Sequence, residues 1–193
     1  MELYVVRHGQ TECNEKGIVM GHADSPLTEN GIAGAKEVAK VLQGKKFDKI
    51  FCSDLGRAVH TALIIKQELG IDTSILPVSS LRETNYGIYN YVKRDFVSKK
   101  CPQYLSDFSY IYPEGESLDL RYDKVRKCAQ KLLEEVSSGN ILLVTHAGPI
   151  RALVTYFTEI SKEDYQKKKL SHRFIAHFSF ENGVLKGFKQ ISE

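Results

Sequence analysis

Apolar and polar residues fall into blocks along this chain whose spacing predicts alternating strands and helices. Leu3-Tyr4-Val5-Val6 is an unbroken apolar run of the kind buried on both faces of a sheet. Beyond Thr28, a candidate N-cap, Ile32, Ala35, Ala39 and Leu42 share one helical face, and Gly44 is the expected stop. Ile50-Phe51-Cys52 predicts a short strand. Ser53 then caps a helix that turns Leu55, Ala58, Ala62, Ile65 and Leu69 inward and stops at Gly70. Ile75-Leu76-Pro77-Val78 reads as a third strand, and its proline predicts an edge or a strand end.

Residues 88–116 have no clean period. They are crowded with tyrosine and phenylalanine and close on Pro113-Glu114-Gly115. A long irregular segment in a compact domain usually serves function, so we expect a cap with one short helix near Val92 to Lys100. Ser117 opens the longest helix, with Leu118, Tyr122, Val125, Ala129, Leu132 and Val136 inward and Gly139 as its end. Ile141-Leu142-Leu143-Val144 predicts a fourth buried strand, and Pro149 suits the first turn of the helix after it. Phe174, Ala176, Phe178 and Phe180 alternate into a strand that Asn182-Gly183 reverses into a partner through Leu185 to Phe188. The pattern predicts an α/β three-layer sandwich with a mostly parallel sheet plus an antiparallel strand. Length predicts a single catalytic domain, 1–193, with 88–116 as a cap insertion over the active site.

Charge and cysteines narrow the class. A formal net charge of +3 is too small to argue for nucleic acid and mildly favours an anionic small molecule. Lys167-Lys168-Lys169 reads either as a solvated helix end or as an attractor of such an anion. Cys13, Cys52, Cys101 and Cys128 show no metal-ligand spacing, which predicts reduced thiols in a cytoplasmic protein with no metal and no cofactor. No apolar stretch approaches the ~20 residues of a membrane span. A homodimer is compatible with the chain, which does not itself reveal an oligomeric state.

In open α/β sheets ligands bind beyond the carboxyl ends of the strands. Those ends carry Arg7-His8-Gly9, Ser53 to Arg57, Leu81-Arg82-Glu83 and Thr145-His146-Ala147-Gly148. Two histidines, three arginines and a carboxylate are therefore expected on one rim. Histidine can act as a nucleophile toward phosphorus. Arginine forks suit the peripheral phosphoryl oxygens, and a helix beginning at Ala147 offers N–H groups to an anion. Glu83 is the candidate general acid. Nearby arginines would lower its pKa, whereas burial or a phosphate dianion would raise it. His22, His60, His172 and His177 are expected to be structural or surface residues.

Arg7-His8-Gly9-Gln10-Thr11 with Asn14, Asp24-Ser25-Pro26-Leu27-Thr28, Ser53 to Arg57, Leu81-Arg82-Glu83 and Val144 to Gly148 resemble, in order, the histidine phosphatase superfamily in its phosphoglycerate-mutase-like branch. The resemblance implies that fold and a metal-independent hydrolysis of a small-molecule phosphomonoester. It implies that His8 is phosphorylated, that Arg7, Arg57, His146, Asn14 and the backbone at Ala147 hold the phosphate, and that Glu83 donates the proton. Size and the Pro113 to Ser117 block resemble the family's small phosphatases, of α-ribazole phosphate or sugar phosphates. Phosphoglycerate mutase activity and a phosphate-binding module with little catalysis are the alternatives. Ala147 stands where the family often has glycine, and the cap's entry after Tyr86-Gly87 also departs from the pattern.

Overall fold

Six strands, β1 (Glu2–Arg7), β2 (Lys49–Cys52), β3 (Ile75–Pro77), β4 (Asn140–Thr145), β5 (Ile175–Glu181) and β6 (Val184–Ser192), form one sheet in the computed structural model, which describes residues 1–192. Their order is β3-β2-β4-β1-β5-β6. The pairs from β3 to β1 are parallel, and β5 runs antiparallel to both β1 and β6. The proline-containing strand is at the edge, where a missing N–H costs no ladder bond.

Seven helices connect the strands: α1 (Glu12–Glu15), α2 (Glu29–Val41), α3 (Gly56–Leu69), α4 (Arg94–Lys100), α5 (Leu118–Glu135), α6 (Ala147–Thr158) and α7 (Lys162–Gln166). Leu3 and Val5 of β1 pack with α5 and α6 on one face of the sheet, while Tyr4 and Val6 pack with α2 and α3 on the other. Both faces of the central strands are thus covered, which is why β1 and β4 read as unbroken apolar runs. Each such fully buried aliphatic side chain contributes about 1.5–3 kcal/mol.

Local departures from the sequence reading have local causes. α2 and α5 end before their expected glycines, with Leu42 and Val136 as C-caps. Gly139 instead makes the left-handed turn into β4 at φ +92°. α3 starts at Gly56 behind Leu55, so Ser53 is not its N-cap. α1 is held by a reciprocal capping box between Thr11 and Asn14.

Residues 88–116 pack on a separate apolar cluster that includes Val19, Val97, Phe108, Tyr112 and Leu118. Tyr112 is its hub, edge-on to Tyr86 at 5.0 Å and Tyr110 at 5.3 Å between ring centroids. Most of the segment's aromatic residues therefore form its own core. Its two ends meet at Gly87, where a β-carbon would lie 1.8 Å from the Pro113 carbonyl oxygen. Backbone hydrogen bonds between Val19 and both Tyr91 and Val92 fasten it to the loop after α1. Among the described residues, no helix is long and apolar enough to cross a membrane.

Candidate active site

The register of the two central parallel strands builds the site. Arg7 pairs with Thr145 at the carboxyl ends of β1 and β4, so the next residue on each strand leaves the sheet beside its neighbour. Those residues are His8 and His146, with ring centroids 5.0 Å apart.

His8 is buried, and its Nδ1 lies 2.8 Å from the Gly9 carbonyl oxygen. A carbonyl only accepts, so Nδ1 carries the proton and Nε2 keeps a free lone pair. Burial first, and then the neighbouring His146, Arg57 and Arg7, hold the His8 pKa well below the usual histidine value. The ring is neutral at physiological pH.

His146 is also buried and held neutral by burial and the adjacent Arg57 and Arg7. Its Nε2 sits 2.8 Å from Ser53 Oγ. That hydroxyl also accepts the Leu55 N–H at 3.4 Å and keeps its hydrogen and a second lone pair, so it can pair with Nε2 in either tautomer of the ring. His146 Nδ1 is buried and has no protein partner.

Arg57 is fixed by the loop before α2: its guanidinium donates to Gly21 O at 2.8 Å, Ala23 O at 2.7 Å and Asp24 Oδ1 at 3.2 Å. Arg7 donates to Leu170 O. The Nε atoms of both arginines are buried without partners. Asn14 spends Oδ1 on the Thr11 N–H at 3.2 Å, leaving its amide N–H groups for the cavity.

Glu83 accepts the Thr84 N–H at 2.9 Å and the Gly148 N–H at 3.0 Å. Burial alone would raise its pKa. The Arg121 charge and these two N–H groups outweigh burial, so the carboxyl lies below its usual value. Gly148 has no room for a side chain, since a β-carbon there would fall 2.0 Å from Glu83 Oε1. The alanine in place of a family glycine stands one residue earlier, at a half-buried position lining the cavity.

Arg7, His8, Asn14, Arg57, Glu83 and Ala147 all line one cavity of about 350 Å³, with His146 packed against His8. Arg82 does not join them: it forms a two-pronged pair with Asp54 at 2.7 and 2.6 Å, away from the cavity. The expectation of Arg82 on the rim is corrected: Arg82 is the extended residue that follows the Ser79–Leu81 turn, and Asp54 takes its guanidinium. His172 corrects a second expectation. It lines the cavity 5.5 Å from the His8 ring, and its Nδ1 donates to His8 O at 3.2 Å. Sequence reasoning also missed Arg94, Arg121 and Arg151 as lining residues, whereas Lys169, which lines the cavity too, belongs to the basic run read as a solvated helix end or an anion attractor. Of the three missed arginines, Arg121 alone left a signal, as a charge on the apolar stripe between Leu118 and Val125.

Neutral histidines, arginine forks and a buried carboxylate at the carboxyl ends of a parallel sheet define an enzyme of phosphoryl chemistry. Residues 3–186 match the family model of the histidine phosphatase superfamily (branch 1). The adenosylcobalamin/alpha-ribazole phosphatase of Escherichia coli (strain K12) is 32% identical over 159 residues, covering 80% of this chain and 77% of the relative. A 2,3-bisphosphoglycerate-dependent phosphoglycerate mutase of Cytophaga hutchinsonii is 35% identical over 169 residues, covering 84% and 79%. The alpha-ribazole phosphatase structure from Shigella flexneri superposes with a TM-score of 0.86 at 24% identity, over 96% of this chain and 93% of that one, a likeness of fold. The chain belongs to the histidine phosphatase superfamily, branch 1.

Proposed function

We propose that this protein hydrolyses small-molecule phosphomonoesters through a phosphohistidine on His8, without a metal ion. The observation that carries this reading is the His8 Nδ1–Gly9 carbonyl contact of 2.8 Å, which leaves a neutral ring with Nε2 unencumbered. Nε2 attacks phosphorus as the P–O bond to the alcohol breaks, and Glu83 gives its proton to the departing oxygen. Water then attacks the phosphohistidine, the P–N bond breaks with its electron pair returning to Nε2, and Glu83 takes up the water's proton. Arg7, Arg57, His146, Asn14 and the backbone at Ala147 bind the phosphoryl oxygens; the unpartnered Nε atoms of the arginines and Nδ1 of His146 support this.

Glu83 is ionised in the free protein, so its acid proton arrives with the substrate. The monoanionic ester hands its proton to Glu83 on binding, and the phosphate dianion this leaves offsets Arg121 and keeps the carboxyl protonated. Residues 88–116 act as a cap within one catalytic domain, supported by their separate core and by Arg94, Tyr104 and Leu105 in the cavity wall. Free cysteines support a cytoplasmic enzyme. α-Ribazole phosphate and sugar phosphates are the first natural esters to try. His8→Ala should lower turnover of an aryl phosphate, measured with chelator present, by at least ~10³. Near-normal turnover would refute the phosphohistidine reading. The phosphoglycerate mutase relatives raise a second reading, which bisphosphate-stimulated interconversion of phosphoglycerates would establish in place of the first.

A further inference from the structure

His172 lies 164 positions from His8, just before β5 and outside the sequence blocks that resemble the family. Its contact with His8 is to the backbone. The peptide unit that joins His8 to Gly9 is held at both ends by side chains from elsewhere in the fold. Its N–H, on Gly9, donates to Thr61 Oγ1 of α3 at 3.0 Å, and its carbonyl oxygen, on His8, accepts from His172 Nδ1 at 3.2 Å. Among the described residues, no other donor reaches that oxygen.

Both holding groups are themselves fixed. Thr61 is buried and gives its hydroxyl hydrogen to Arg57 O at 2.7 Å. His172 belongs to a turn in which the Arg173 N–H donates to Ser171 Oγ at 3.1 Å and the Phe174 N–H to Ser171 O at 3.4 Å. Phe174 O accepts the Arg7 N–H at 3.2 Å, which seats the turn against the end of β1. The Gly9 backbone is also wedged against α2, since a β-carbon there would lie 2.5 Å from Gly31 O.

The orientation of this peptide governs where the His8 ring points. Gly9 O accepts from His8 Nδ1 at 2.8 Å, and it hangs on the α-carbon that the held peptide places. Rotating the peptide would carry Gly9 O with it and re-aim Nε2. His172 has no proton to offer a phosphate. Its Nδ1 hydrogen is committed to a carbonyl, and burial and Arg7 bring its pKa to about 4, so the ring is neutral at physiological pH.

We propose that His172 is a positioning residue for the nucleophile, holding the His8–Gly9 peptide so that His8 Nε2 meets phosphorus in line. The assignment rests on the phosphatase reading for what His8 does.

Two substitutions separate donor from shape: His172→Asn keeps an N–H near the place of Nδ1, and His172→Phe keeps a ring without one. On an aryl phosphate, His172→Phe should lower kcat at least ~10-fold, with the inhibition constant of inorganic phosphate within about twofold of the parent. His172→Asn should stay within about threefold in kcat. Near-parent kcat in His172→Phe, an equal loss in both variants, or a loss carried by KM and phosphate affinity overturns the assignment and leaves the phosphatase reading intact. The His8 ring N–H resonance, read by nitrogen-edited NMR, reports the same contact without turnover. It should appear in the parent and in His172→Asn and be lost to solvent exchange in His172→Phe. If the parent hydrolyses no ester, the phosphatase reading fails and this resonance decides the positioning, its persistence in His172→Phe removing it. If His172→Phe does not fold, the smaller His172→Leu replaces it. Should neither fold while His172→Asn does, the bond serves the fold and the assignment is overturned.

Discussion

The Gly148 N–H donates to Glu83 Oε2 at 3.0 Å, and no β-carbon fits between these two residues because it would lie 2.0 Å from Oε1. The second residue after His146 therefore sets the position of the carboxylate. Gly148→Ala should lower kcat about 10²-fold, the scale on which a misplacement of about 1 Å is felt, with the far-UV circular dichroism unchanged. Ala147→Gly should stay within about threefold of the parent, because only the second position is sterically closed. Parent-like activity in Gly148→Ala would show that Glu83 need not sit where it does.

Glu83→Gln tests the acid by leaving group. An alkoxide needs the proton and a nitrophenolate does not, so alkyl ester turnover should fall by about 10²–10⁴ and aryl ester turnover far less. Equal losses would remove the acid role. In the unsubstituted protein kcat/KM for an alkyl ester should decline above the second phosphate pKa of about 6. The depressed Glu83 pKa leaves the monoanionic substrate to deliver the proton. A profile rising to pH 8 would contradict this.

Ser53→Ala removes the hydroxyl that faces His146 Nε2 at 2.8 Å. The imidazole loses the bond that holds its ring in place, and a buried nitrogen loses its partner at a cost of about 1–3 kcal/mol. Turnover of an aryl phosphate should drop roughly tenfold through kcat rather than KM, the pattern of an interaction made only in the transition state. A change confined to KM would assign Ser53 to ground-state binding.

Acid should destabilise the fold at its active site. The pKa values of His8 and His146 are depressed, and that of His172 falls to about 4 through burial and the nearby Arg7. Between those folded values and the unfolded value of about 6.5 the unfolded chain binds protons that the folded one refuses. The stability from these neutral rings is complete above pH 6.5 and is lost as pH falls. Glu83 acts in the same direction at lower pH, because its stabilising ionised form is lost as pH drops through its depressed folded value. Melting temperature should fall from pH 7 to pH 5, and His8→Asn should flatten that slope. An unchanged slope in the variant would place the acid-sensitive groups elsewhere.

Strand and helix identity, the edge position of β3, the terminal hairpin and the helix at Arg94–Lys100 were legible in the sequence. Apolar periodicity, proline and the Asn182-Gly183 turn act over a few residues and can be read over a few residues. The same holds for His8, Glu83, Arg57 and His146, because parallel strands deliver their carboxyl ends to one side whatever the loops do. Tertiary structure decided what depends on residues distant in sequence. Ser53 turned from a cap to a partner of His146, 93 positions away, and Arg82 was taken by Asp54. The contest over the Glu83 pKa was settled by Arg121, which only the packing of α5 against α6 brings near. Burial and Coulomb interactions depend on spatial neighbours, so the chain could name the groups that gather at the strand ends while the folded structure alone could set their charge.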